Sequence, residues 1–202
     1  MALENKFNIE DAAELARVEE KISKQNAIKL FTSGRLEKFP AGKFSTLAEI
    51  HRVLFGEIYD FAGKIRTVNL AKGHFRFAAA LYLVEAVAQI ENMPQNNFSA
   101  IIEKYVEMNV AHPFREGNGR SMRLWLDHIL KTELSRVVDW SLVDKAEYLS
   151  AMELSPIHDD KIKKILSVAL TDKIDDREIF MKGLDASYFY ENYFVYRTHE
   201  LL

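Results

Sequence analysis

"AHPFREGNGRSMRLWL", residues 111–126, sets a histidine, a glutamate, a Gly-Asn-Gly and three arginines side by side. An amphipathic run, "RSMRLWLDHILKTEL", follows at once and reads as a strongly hydrophobic, central helix. Glycines let the backbone take φ > 0 and gather its N–H groups into one concavity. The start of a helix adds unpaired N–H donors and the positive end of its dipole. Gly117-Asn118-Gly119 therefore reads as an anion site, with phosphate the usual occupant. A lone GxG is more often a plain turn. Here Arg120 and Arg123 share one face of the first turn, where their charge opposes the dipole unless an anion joins them.

Outward from this stretch most of the chain reads as helix, because its few glycines and prolines fall between periodic runs. Residues 10–33 carry Leu15, Val18, Ile22, Ile28 and Leu30 at helical spacing and stop at Gly34. Thr46 with Glu49 reads as a capping box opening a helix that Gly63 ends. Two helices divided by "PQNN" follow, and after the central helix come one capped by Ser141 with Asp144, another over 157–170, and one or two short ones over 175–193. Only "RTVNLAKGHFRFAA", 66–79, alternates polar and apolar residues, with Lys72-Gly73 as the turn of a hairpin. The expected fold is all-α: a single domain over 1–202, a helical bundle carrying one small β-hairpin.

Composition narrows the classes. A formal net charge of -3 gives no global attraction to nucleic acid or membrane. No apolar run reaches the ~20 residues of a bilayer span, and the charged N-terminus lacks the apolar stretch of a signal peptide. Without cysteine there is no disulfide framework, thiolate zinc site or thiol nucleophile. A cytoplasmic location is the default expectation.

The neighbours of the glycine loop supply chemistry. Glu116 suits magnesium, which takes one or two protein carboxylates and leaves its other positions to water and phosphate. His112 titrates near neutrality and can accept a proton from an attacking hydroxyl, although a histidine closing a helix also complements its dipole. Phe114 reads as a buried anchor and Arg115 as solvated. Base, metal ligand, phosphate nest and arginines together describe in-line transfer from a nucleoside triphosphate to a hydroxyl.

"HPFREGNGRSMR" resembles the Fic family signature, HxFx(D/E)GNGRxxR, at every defined position, and "LFGEIYDFAGKIR" with "NLAKGHFRFA" resembles the approach to the Fic flap and the flap itself. The resemblance implies a mostly helical Fic core, with a flap at about 66–78 and a nucleotide loop at 112–123. It implies His112 as general base, Glu116 holding Mg²⁺ or another divalent metal, Gly117, Asn118 and Gly119 cradling the phosphates of ATP with Asn118 on the α-phosphate, and Arg120 and Arg123 meeting the β- and γ-phosphates. AMP would pass to a Ser, Thr or Tyr hydroxyl of a target protein, docked as an added strand along Lys72, Gly73, His74, Phe75, Arg76 and Phe77. Gly119 favours this adenylylation over the phosphorylation of the Doc branch, which has lysine there. Uridylyl or phosphocholine transfer stays open.

"DASYFYENY", 185–193, places Ser187 and Glu191 one above the other on a helix. With Asn192 it resembles the family's inhibitory motif, (S/T)xxxE(G/N), in the C-terminal position of self-inhibited members. A glutamate paired with Arg123 would remove the γ-phosphate's partner and repel that phosphate. Resemblance also allows Glu191 a second role, positioning water for AMP removal. Tyr188, Tyr190 and Tyr193 read as packing residues or as sites of self-modification. Control by homo-oligomer assembly is a further expectation. The reading from another class is a nucleotide-binding interaction protein without turnover.

Overall fold

The computed structural model describes residues 2–73 and 75–202. The first helix, α1 (Ala12–Thr32), starts where the Asp11 carboxylate accepts the Glu14 N–H, and ends at Ser33 and Gly34. The second, α2 (Phe44–Phe55), begins two residues before the expected capping box. That box does not form. Thr46 donates its hydroxyl to the Pro40 carbonyl at 2.7 Å and Glu49 pairs with Arg35 and Arg52, while Phe44 packs on Phe114 and so draws the helix start forward.

A hairpin follows, β1 (Ala71–Lys72) antiparallel to β2 (Phe75–Arg76), pairing Ala71 with Arg76 and Lys72 with Phe75. Lys72 thus belongs to the strand, and the turn begins at Gly73, one residue later than the sequence suggested. Gly73 takes φ +59°, the left-handed conformation that the first central position of such a turn requires. His74 lies outside the described residues.

Then come α3 (Leu83–Glu91), α4 (Phe98–Ala111) and α5 (Asn118–Leu134). Met122, Trp125, Leu126, Ile129 and Leu130 are fully buried, so α5 is central as expected, packed against α2 and α4. A short strand pair, β3 (Val137–Val138) with β4 (Leu170–Thr171), was not foreseen, since two residues are too few to show alternation. Between these strands lie α6 (Lys145–Leu154) and α7 (Asp160–Val168). Asp144 itself caps α6, and Ser141 belongs to a preceding 3₁₀ turn capped by Asp139. The last helix, α8 (Arg177–Tyr190), is one continuous element. The result is mostly helical, with two small antiparallel strand pairs. No helix among the described residues is long and apolar enough to cross a membrane.

Candidate active site

The loop between α4 and α5 is fixed by side chains both outside and inside the motif. His51 is fully buried; its Nδ1 accepts the Gly63 N–H at 2.9 Å, which leaves Nε2 to donate to the Glu116 carbonyl at 2.8 Å. Asn118 bonds both ways to the Phe114 backbone, accepting its N–H at 2.8 Å and donating to its carbonyl at 2.7 Å. Gly117 sits at φ +75° against the Phe55 ring, where a Cβ would fall 2.4 Å from a ring carbon. Only glycine fits there.

His112 closes α4 in a left-handed conformation, φ +49°, that a residue with a side chain adopts only when held. Arg66 holds it, donating from Nε to the His112 carbonyl at 2.8 Å and from Nη2 to the carbonyls of Ala78 and Ala111. The imidazole stacks on Phe77, ring centroids 3.7 Å apart. Burial pushes its pKa down to about 4, partly opposed by the Asn109 carbonyl and the charge of Glu191. At neutral pH it is an uncharged base.

A cleft of about 590 Å³ opens above the loop. It is lined by the hairpin (Leu70 to Gly73, Phe75, Phe77), by His112, Glu116, Gly117, Asn118, Gly119 and Arg123, and by Tyr148, Leu149, Met152 and Glu153 of α6. Glu191, just past the end of α8, also enters it. Arg123 donates from Nε to the Ser187 hydroxyl at 2.6 Å, and from Nη2 to the Ser187 carbonyl at 2.8 Å and to Glu191 at 3.2 Å. Burial works against the Glu191 charge, but Arg123, Arg120 and Lys72 outweigh it and hold the carboxyl below its usual range. Its Oε1 lies 2.4 Å from where a Cβ on Gly119 would be.

The chain matches the Fic/DOC family over residues 43–130. It carries a Fic domain. The chain is 33% identical over 160 residues to the protein adenylyltransferase VbhT of Bartonella schoenbuchensis, which covers 73% of this chain and 32% of that protein. It is 27% identical over 124 residues to the probable protein adenylyltransferase Fic of Escherichia coli, covering 56% and 62%. The chain thus spans about a third of the first relative and less than two thirds of the second. The N-terminal Fic domain of a Bartonella quintana protein with bound ADP superposes with TM-score 0.70 at 19% identity, covering 90% and 94%. BepC of Bartonella tribocorum with bound AMPPNP gives 0.68 at 18%, covering 85% and 93%. At such identity the likeness shows the Fic fold alone.

Within the Fic domain most of the expected site residues meet at the cleft. Arg120 is among the exceptions: it does not line it. Its guanidinium is 1% exposed, donating to Glu19 of α1 at 2.6 Å and to Glu116 at 3.1 Å, and lying over the rings of Phe55, Tyr188 and Tyr193. A direct grip on a β-phosphate is not available to it in this arrangement. The Asn118 side chain is likewise spent on the loop rather than aimed into the cleft. In the hairpin, Arg76 is exposed and does not line the cleft, whereas Lys72 approaches Glu191 at 3.9 Å. Asn192 takes φ +65° beyond α8 and accepts from Lys145 at 2.7 Å. Tyr188 and Tyr190 are buried with their hydroxyls donated to Ser23 and to the Trp140 and Val143 carbonyls, so both pack. Tyr193, half-buried, lies over Arg120.

Among the described residues no group of three His, Cys, Asp or Glu is placed to hold a metal by itself. Glu116 is a single carboxylate, 41% exposed, with Oε1 accepting the Gly117 N–H and one N–H from Arg120 Nη2. That donor set fits a hard cation whose other ligands are water and phosphate.

Proposed function

We propose that this chain is a protein adenylyltransferase that its own C-terminal helix holds inactive. The observation that carries the reading is one cleft shared by an uncharged His112, the amino end of α5 and Glu116. A nucleoside triphosphate would lie with its phosphates over the Gly117-Gly119 turn and its nucleoside toward the α6 wall. His112 would accept the proton of a target Ser, Thr or Tyr hydroxyl as that oxygen bonds to the α-phosphorus. The bond from that phosphorus to the bridging oxygen then breaks, and pyrophosphate leaves. A divalent cation held by Glu116 would supply charge neutralisation on the phosphates. The target segment would pair with the exposed backbone of the hairpin.

The contact of Glu191 with Arg123 supports self-inhibition, since the carboxylate occupies the cation that a γ-phosphate needs and adds like charge beside it. The test is transfer of label from ATP carrying it at the α-phosphate. Glu191→Gly should raise incorporation on the order of tenfold or more, the scale of a coupling of about 1–3 kcal/mol. Adding His112→Ala should lower it about 10²–10⁴-fold. Label entering from the γ-phosphate instead would make the chain a kinase. A second reading, AMP removal, is favoured by the ionised Glu191 facing into the same cleft as His112. Wild-type protein that never releases AMP from a modified target under any divalent metal would end it.

A further inference from the structure

Glu19 lies on α1, outside the matched residues 43–130 and about a hundred positions from the loop, yet it is the closest charged partner of Arg120. The two side chains are each 1% exposed and 2.6 Å apart. The second Glu19 oxygen accepts the Tyr59 hydroxyl, so both oxygens are engaged, one of them by the segment that follows α2. Arg120 in turn reaches Glu116 at 3.1 Å. These three groups form one chain of charges, negative, positive, negative, running from the interior to the cleft.

The arithmetic of that chain has a consequence at its exposed end. Glu19 and Arg120 neutralise each other in the interior, where their interaction is least screened. Glu116 is then left with its negative charge for whatever occupies the cleft. Without Glu19, the uncompensated guanidinium would have Glu116 as its remaining carboxylate partner, and would compete with any cation for it. We propose that Glu19 is a positioning residue for the cation site: by neutralising Arg120 it keeps the Glu116 carboxylate available to a divalent ion. This rests on the reading of Glu116 given above.

The experiment measures binding directly. Free Mn²⁺ is followed by electron paramagnetic resonance on the full chain carrying Glu191→Gly, with a non-hydrolysable ATP analogue present. Adding Glu19→Gln should weaken nucleotide-dependent Mn²⁺ binding on the order of tenfold, as loss of a partner behind a metal ligand does. Analogue binding without metal should stay within about twofold, because Glu19 does not line the cleft. Adding Arg120→Gln to Glu19→Gln removes both interior charges and should return Mn²⁺ binding toward the parent value, which a merely structural role for Glu19 would not do. If Glu19→Gln alone fails to fold, the paired variant decides: Mn²⁺ binding near the parent supports the proposal and a tenfold loss overturns it. Unchanged Mn²⁺ binding in Glu19→Gln also overturns it. A parent that shows no nucleotide-dependent Mn²⁺ binding sinks the reading of Glu116 and this proposal with it.

Discussion

The two walls of the cleft are built on opposite plans. The loop from His112 to Asn118 is held at nearly every polar group: His51 and Arg66 fix backbone carbonyls, Asn118 closes the turn, and Phe55 fills the space a side chain at 117 would need. The hairpin facing it has two residue pairs, and all of Ala71, Lys72 and Arg76 are exposed. Rigid donors favour a ligand whose shape never changes, since no reorganisation is needed when charge develops. An open strand edge favours a partner that brings its own backbone. On the function proposed above, the loop would be rigid before a nucleotide arrives, while the hairpin edge would be completed by the backbone of a target.

The sharpest way to break this contrast is Arg66→Met. Arg66 serves the His112 carbonyl on the rigid side and the Val68 and Ala78 carbonyls at the hairpin's stems. Leaving these acceptors unpaired should cost about 3 kcal/mol in urea unfolding, and should lower transfer in the Glu191→Gly background more than any hairpin substitution. A loss of stability with transfer intact would mean that His112 does not need its backbone held.

A smaller effect comes from pH. Burial pushes His51, like His112, down to about 4. The unfolded chain takes up protons as pH falls below about 6.5, while the folded chain does so only near 4, so the stability these histidines give at neutral pH is lost across that window. Asp127, pushed up to about 7 by burial, works the other way. The histidine effect is thus read as a difference: the stability gap between wild type and His51→Gln should narrow by about 1 kcal/mol from pH 7 to 5.5. A constant gap would mean that burial leaves the His51 pKa where it stands in the unfolded chain.

The smallest effect is expected on the hairpin. Lys72 is 70% exposed and meets Glu191 only at 3.9 Å. Lys72→Ala should change stability by less than about 0.5 kcal/mol. Any rise in basal transfer should disappear at high salt. A rise that survives salt would make the hairpin part of the rigid wall.

How much was legible in the sequence follows the same division. That the glycine loop, His112 and Glu116 share one cleft could be read from residue types and spacing, whereas the pairing of Arg123 with Glu191 was legible only through the resemblance of residues 185–193 to the family's inhibitory motif. The burial of Arg120 could not be read because its partner, Glu19, looks like one more charge on an amphipathic helix. His51 was passed over for the same reason: a histidine that fixes a carbonyl has no spacing to betray it. The α6 wall was missed because Tyr148, Leu149 and Met152 belong to no motif and carry no spacing that marks a ligand. Local pattern also misjudged helix starts, where Phe44 packing on Phe114 outweighed a capping box.

Position 119 carries one further lesson. Glu191 stands in the space that any side chain there would fill, its oxygen 2.4 Å from the missing carbon. A glycine at 119 is thus a vacancy shaped for a carboxylate that arrives from the other end of the chain. The two positions are coupled: a methyl group at the first would make the carboxylate shift, and a larger side chain would compete with it for the space. A lineage that exchanged this glycine for a larger residue would have to abandon the C-terminal carboxylate in the same step, or find it another place to rest.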